Sequence, residues 1–143
     1  MKQLKGKTVT HVFISHGEEY IRFVCVDKIL TFEALGDCCS QSWFADLIGH
    51  QSLVGHTVTS VQELDLEPRK ASPEGVPTSE ALTSGDRTRY DLDKIYGYLL
   101  TTNAGHCTIA FRNSSNGYYG GELCLTKCEP KCTWREITDD WSA

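Results

Sequence analysis

No stretch of this chain approaches the ~20 consecutive apolar residues of a membrane-spanning helix. The opening Met1-Lys2-Gln3-Leu4-Lys5-Gly6-Lys7 also lacks the apolar core of a secretory leader. The expectation is a cytoplasmic protein with no membrane partner. A cationic surplus is missing too, since 14 Lys and Arg against 19 Asp and Glu leave a net charge of −5. Wrapping double-stranded nucleic acid needs clustered cations to neutralise phosphates, so that partner class is set aside. No acidic pair is organised for catalysis: Glu18-Glu19, Asp91 with Asp93, and Asp139-Asp140 read as solvated surface. No internal repeat is present.

What is present is an ordinary globular composition, 40% hydrophobic and 23% charged over 143 residues. A single domain of this length buries roughly 68–70% of its unfolded surface. Seven cysteines is a high and odd count. In a reducing compartment they are thiols or metal ligands rather than a disulfide frame. Cys25 and Cys107 fall inside apolar strand-like runs and read as small buried hydrophobes.

The first third reads as a β-meander. Thr8–Ser15 is rich in β-branched residues, and His16-Gly17-Glu18-Glu19 follows as a turn. Tyr20–Val26 alternates with Ile21, Phe23 and Cys25 on one face, and Ile29–Leu35 alternates with Leu30, Phe32 and Ala34 together. After Gly36 the pattern changes. Trp43 with Leu47, and Phe44 with Ile48, are four apart, which predicts a short helix capped by Asp37, Ser40 or Ser42 and stopped by Gly49. A strand over His56–Leu66 is expected to share Val58, Ser60, Gln62 and Leu64 on one side. Residues 67–86 hold three of the four prolines and almost no apolar periodicity, so they read as a long Pro-rich loop, either a lid or a passive insertion. Asn103-Ala104-Gly105 signals a hairpin between Ile95–Thr102 and His106–Arg112, and Glu122–Lys127 reads as the last core strand. A tail over residues 128–143 carries Cys128, Cys132, Trp134 and Trp141. The fold class expected is α+β: one domain over residues 1–143, dominated by an antiparallel sheet with one short helix after Gly36.

The segment Arg112-Asn113-Ser114-Ser115-Asn116-Gly117-Tyr118-Tyr119-Gly120-Gly121 concentrates site chemistry. Arg112 can pair with a phosphate, Asn113 and Asn116 can read a base edge or ribose, and Tyr118 or Tyr119 can stack on a ring. Backbone N–H groups around Gly117 and Gly120 can form an anion nest. The same residues fit a bulge loop whose Asn and Ser satisfy their own backbone. Cys38-Cys39 after Asp37 offers a thiol at a turn, but no spacing rule sets His50 or His56 beside it as a base. Cys124, Cys128 and Cys132 are spaced by four, whereas structural zinc sites need four ligands and usually pair cysteines across two to four residues. Metal binding stays open there, and no cofactor or catalytic residue is assigned.

Gly36-Asp37-Cys38-Cys39-Ser40-Gln41-Ser42-Trp43 and the Arg112 segment, taken with Leu4-Lys5-Gly6-Lys7-Thr8-Val9, carry a resemblance. Together they resemble a small uncharacterised domain family of bacteriophage and bacterial genomes, over Leu4 to Leu125. The resemblance implies a mainly β domain, frequently phage-borne, and no activity. The expected function is a phage-type accessory protein in the host cytoplasm that sequesters a nucleotide-derived small molecule, such as a host immune signal, within a homo-oligomer. Its contact set is Arg112, Asn113, Ser114, Ser115, Asn116, Tyr118 and Tyr119, with Asp37, Ser40 and Trp43 from the other motif. The alternatives are a protein–protein inhibitor or adaptor, and a thiol- or metal-dependent enzyme acting on nucleotides.

Overall fold

The computed structural model describes residues 1–36, 40–65, 69–70, 92–115 and 121–143. Their strands are β1 (Val9–Ser15), β2 (Tyr20–Cys25), β3 (Ile29–Gly36), β4 (Gln41–Ile48), β5 (Val58–Asp65) and β6 (Arg69–Lys70). After these come β7 (Leu92–Thr102), β8 (Gly105–Ser115), β9 (Gly121–Leu125), β10 (Trp134–Ile137) and β11 (Trp141–Ser142). Among the described residues one α-helical turn, α1 (His50–Leu53), lies between β4 and β5, and a 3₁₀ turn spans Lys2–Leu4.

Alternating apolar residues make β1, β2 and β3 a meander, as expected. Ile21, Phe23, Leu30, Phe32 and Ala34 all point inward and are buried. This sheet runs β10-β1-β2-β3-β9, and a second runs β11-β4-β8-β7-β5, with β6 also on β7. Their apolar faces close on one core, to which Ile14, Phe23 and Phe32 contribute from the first sheet and Phe44, Leu47, Leu100, Ile109 and Phe111 from the second. Aromatic rings knit that core. Phe23 meets Phe32 edge-on at 5.9 Å between centroids, and Tyr96 stacks on Phe111 at 4.8 Å. The long hairpin turns at Asn103-Ala104, with Thr102 opposite Gly105 at φ 135°.

The helix expected from Trp43 to Ile48 is instead strand β4, and the class is mostly β. The physical reason is a β-bulge: the register of β4 against β8 shifts between Phe44 and Asp46. One extra residue, Ala45, lets Phe44 and Leu47 both face inward although they are three apart. A bulged strand thus imitates helical spacing. The helix lies one segment later, and Gly49 starts it rather than stopping an earlier one. Gly49 sits at φ +99°, and a Cβ there would run into the His106 carbonyl oxygen. A second bulge, between Val58 and Ser60, corrects the expectation for β5. Val58 is fully buried, while Ser60, Gln62 and Leu64 pair with Thr101, Leu99 and Gly97 on the outer face.

The strand after Gly121 is not the last. β10 pairs with β1, and β11 pairs with β4, so the tail adds one strand to each sheet. Since β9 and β10 flank opposite edges of the first sheet, residues 126–133 cross its outer face. Glu129 ion-pairs there with Arg22, whose guanidinium lies 4.0 Å over the Trp134 ring.

Candidate functional site

Both motifs are crossings between sheets. Gly36-to-Trp43 leads from β3 into β4, and Arg112-to-Gly121 leads from β8 into β9. Pairing brings them to one end of the core, with Gly36 opposite Gly121, Ser42 opposite Asn113, and Trp43 opposite Arg112. A Cβ on Gly121 would sit 2.8 Å from Ser42 Oγ and 2.9 Å from Asn113 Cβ, so only glycine lets the crossings approach this closely. Asn113 is fully buried and donates through Nδ2 to Ser40 Oγ at 3.1 Å and Ser42 Oγ at 2.9 Å. Ser42 Oγ itself donates to the Leu35 carbonyl at 2.8 Å, so it must accept from Asn113. The Tyr96 hydroxyl accepts the Gly121 N–H at 3.2 Å. These groups form a polar clasp that ties the two sheets.

Strand alternation splits the expected contact residues between two faces. Asn113 and Ser40 belong to the clasp, whereas Arg112 and Trp43 stand opposite each other on the outer face of the second sheet. Ser114 is buried and faces Gln41, and Ser115 enters as the β8 position paired with Leu92. Asp37, Asn116, Tyr118 and Tyr119 lie outside the described residues, as do Cys38, Cys39, Gly117, Gly120 and the Pro-rich stretch 67–86, apart from Arg69 and Lys70, which form strand β6 on β7 rather than loop.

The outer face carries a cleft of about 390 Å³ beside Arg112. Its floor is the pair Ala110 and Gly97, the middle of a cross-strand row that runs from Asp46 on β4 through β8 and β7 to Leu64 on β5. Ala110 and Gly97 offer almost no side chain, so the row sinks between walls of Ile48, Leu64, Ile95 and Arg112. The bulge at Ala45 turns Asp46 to this face, since strict alternation from Phe44 would send it into the core. Burial pushes the Asp46 carboxyl above its ordinary range, and the Arg112 guanidinium pulls it back. The cleft is therefore apolar, with one carboxyl and one guanidinium at one end. Asp46, Ile95, Gly97 and Ala110 were not among the residues singled out from sequence. A glycine inside the alternating Tyr96–Tyr98 run was the one available signal.

The thiols divide by burial. Cys107 is fully buried and its pKa is pushed up to about 12, mainly by burial and then by the nearby carboxylates of Asp140 and Asp46. Burial also raises Cys25, and Cys124 and Cys132 are shifted upward as well. Among the described residues, no three His, Cys, Asp or Glu side chains are gathered as a metal site. Among them, too, no helix is long and apolar enough to cross a membrane.

Residues 2–125 match the model of a domain of unknown function, DUF7448. The chain belongs to the DUF7448 family. The match stops before Cys128, so β10 and β11 of this DUF7448 protein lie beyond it although they complete both sheets. The chain is also similar to an uncharacterised protein of Acanthamoeba polyphaga mimivirus, 29% identical over 108 residues and covering 72% of each chain. A viral-type small domain is thus supported. No solved structure matches.

Proposed function

We propose that this DUF7448 protein is a small phage-type accessory protein that binds and sequesters a nucleotide-derived small molecule in the outer cleft. The observation that carries the reading is Arg112 lining an apolar slot. An aromatic base suits the Ile48, Leu64 and Ile95 walls, and the buried Arg112 guanidinium has five N–H donors to divide between its partner within the protein and an acceptor on the ligand. A volume of about 390 Å³ lies in the range of small-molecule sites. The mimivirus relative supports a viral setting, in which a host immune signal is the ligand to sequester. Retention rather than turnover is supported by the lining, which apart from Asp46, Arg112 and Thr108 is apolar. Pairing of two chains would deepen so open a site, so a homo-oligomer is part of the proposal.

Native mass spectrometry with a panel of cyclic and linear nucleotides tests this. One stoichiometric adduct on a defined oligomer is expected, with the ligand recovered intact after heat denaturation and lost in Arg112→Gln. Recovery of a converted ligand would instead make the protein an enzyme. A panel without any adduct would favour the adaptor reading, for which Val26 and Ile29, 73% and 59% exposed beside the β2–β3 turn, offer a contact surface.

A further inference from the structure

Two features of the cleft constrain its ligand beyond "a nucleotide". The first is Gly97. It sits inside an eleven-residue strand, where glycine costs roughly 0.5–1 kcal/mol relative to alanine. Its φ is not positive, and a Cβ would meet Leu64 at 3.5 Å, an ordinary contact. Neither backbone conformation nor packing calls for glycine here. What glycine does is keep the floor open, as it does in strands that a ligand approaches closely.

The second feature is Asp46. Its carboxyl is half-buried, and among the described residues no group donates a hydrogen bond to it. A part-buried carboxylate beside a guanidinium keeps acceptor positions that N–H groups of a ligand can fill. Arg112 follows two residues along β8 from Ala110, the cross-strand partner of Asp46. Such diagonal neighbours lie ~7–8 Å apart, about the span of one edge of a purine with a hydrogen bond at each end. With five donors, Arg112 can serve an internal partner and a ligand together.

We infer that the cleft selects a 2-amino-6-oxopurine base, that is, a guanine, with Asp46 accepting from N1–H and the 2-amino group while Arg112 donates to O6. Guanine is the common base that sets two adjacent N–H donors beside a carbonyl oxygen. Adenine turns the lone pair of its N1 toward the carboxylate, and uracil and cytosine offer it one donor position each. The purine ring lies on the Gly97–Ala110 floor between Ile95 and Ile48. This inference rests on the nucleotide reading above.

Isothermal titration of the full chain with guanosine, inosine, adenosine, cytidine, uridine and xanthosine monophosphates tests it. Guanosine should bind about tenfold or more tighter than inosine, which lacks only the 2-amino group, because that bond reaches a charged acceptor. Asp46→Asn is isosteric and should fold; its amide donor should reverse the order in favour of xanthosine, whose 2-oxo group accepts. Gly97→Val should lower affinity for every base at a melting temperature no lower than that of wild type. Equal binding of guanosine and inosine, or preference for another base, overturns the guanine assignment and leaves the nucleotide reading standing. Failure of folded wild-type protein to bind any of the six overturns the guanine assignment, and failure to bind the cyclic and linear panel as well overturns both.

Discussion

Removing the Asn113 amide tests whether the two motifs are joined by the clasp described above. Asn113→Ala deletes two hydrogen bonds, to Ser40 and Ser42, each contributing about 0.5–1.5 kcal/mol. It also leaves a small void where a fully buried side chain packed against the two glycine crossings. Together the loss is about 2–4 kcal/mol. For a domain of this length that is a fall of roughly 6–15 °C in Tm. Asn113→Asp keeps the shape and supplies a sharper readout. A buried carboxyl beside two hydroxyls resists ionisation, so its folded-state pKa lies above the unfolded value of about 3.9. The folded state therefore holds the proton more tightly, and stability relative to wild type is retained below about pH 4. It is lost as pH rises towards the folded-state pKa, by up to ~1.4 kcal/mol per pH unit. Urea denaturation at pH 4.5 and 7.5 measures the difference. A gap to wild type that is the same at both pH values, or an Ala variant melting within about 2 °C of wild type, would refute the clasp.

Two further predictions concern the tail and the thiols. The Asp140 carboxylate accepts from the N–H groups of Gly49 at 2.8 Å and His50 at 3.0 Å, and these bonds hold its pKa below the ordinary range. Its contribution is thus present above the unfolded carboxylate pKa and lost as pH falls through the folded value. Asp140→Asn should lower the Tm at pH 7 and should differ less from wild type on acidification; a constant gap would contradict this. In native protein at pH 8, iodoacetamide should label the exposed Cys128 and leave the buried Cys107, with its pKa of about 12, unmodified until denaturant is added. Rapid labelling of Cys107 in mass-mapped peptides would show that the core around it opens.

Much of the first sheet was legible in sequence because its signal is local. Period-two alternation placed Ile21, Phe23, Cys25, Leu30, Phe32 and Ala34 on inward faces, where they are buried. The β7–β8 hairpin was legible from a glycine at its turn, which takes a positive φ. Burial of Cys25 and Cys107 followed from the same strand patterns. The convergence of the two motifs was not legible, although each was visible as a polar, glycine-rich segment. They meet through β4–β8 and β3–β9 pairing, and Ser42 and Asn113 are 71 positions apart in the chain.

Two of the errors share one cause. A bulge inserts one residue into a period-two pattern, and its position depends on the partner strand rather than on the residues that bulge. At Ala45 it made a strand look like a helix, and at Thr59 it put Val58 on the wrong face. The same displacement at Ala45 turns Asp46 outward, beside Arg112 and over a floor that two small residues leave open. The chain by itself determined a β-rich protein, its inward apolar faces and the arginine that opens its most polar segment, because those are properties of neighbouring residues. Tertiary structure decided which sheet the tail completes, which face each motif residue presents, and where a cleft forms, because each depends on strands distant in sequence lying side by side.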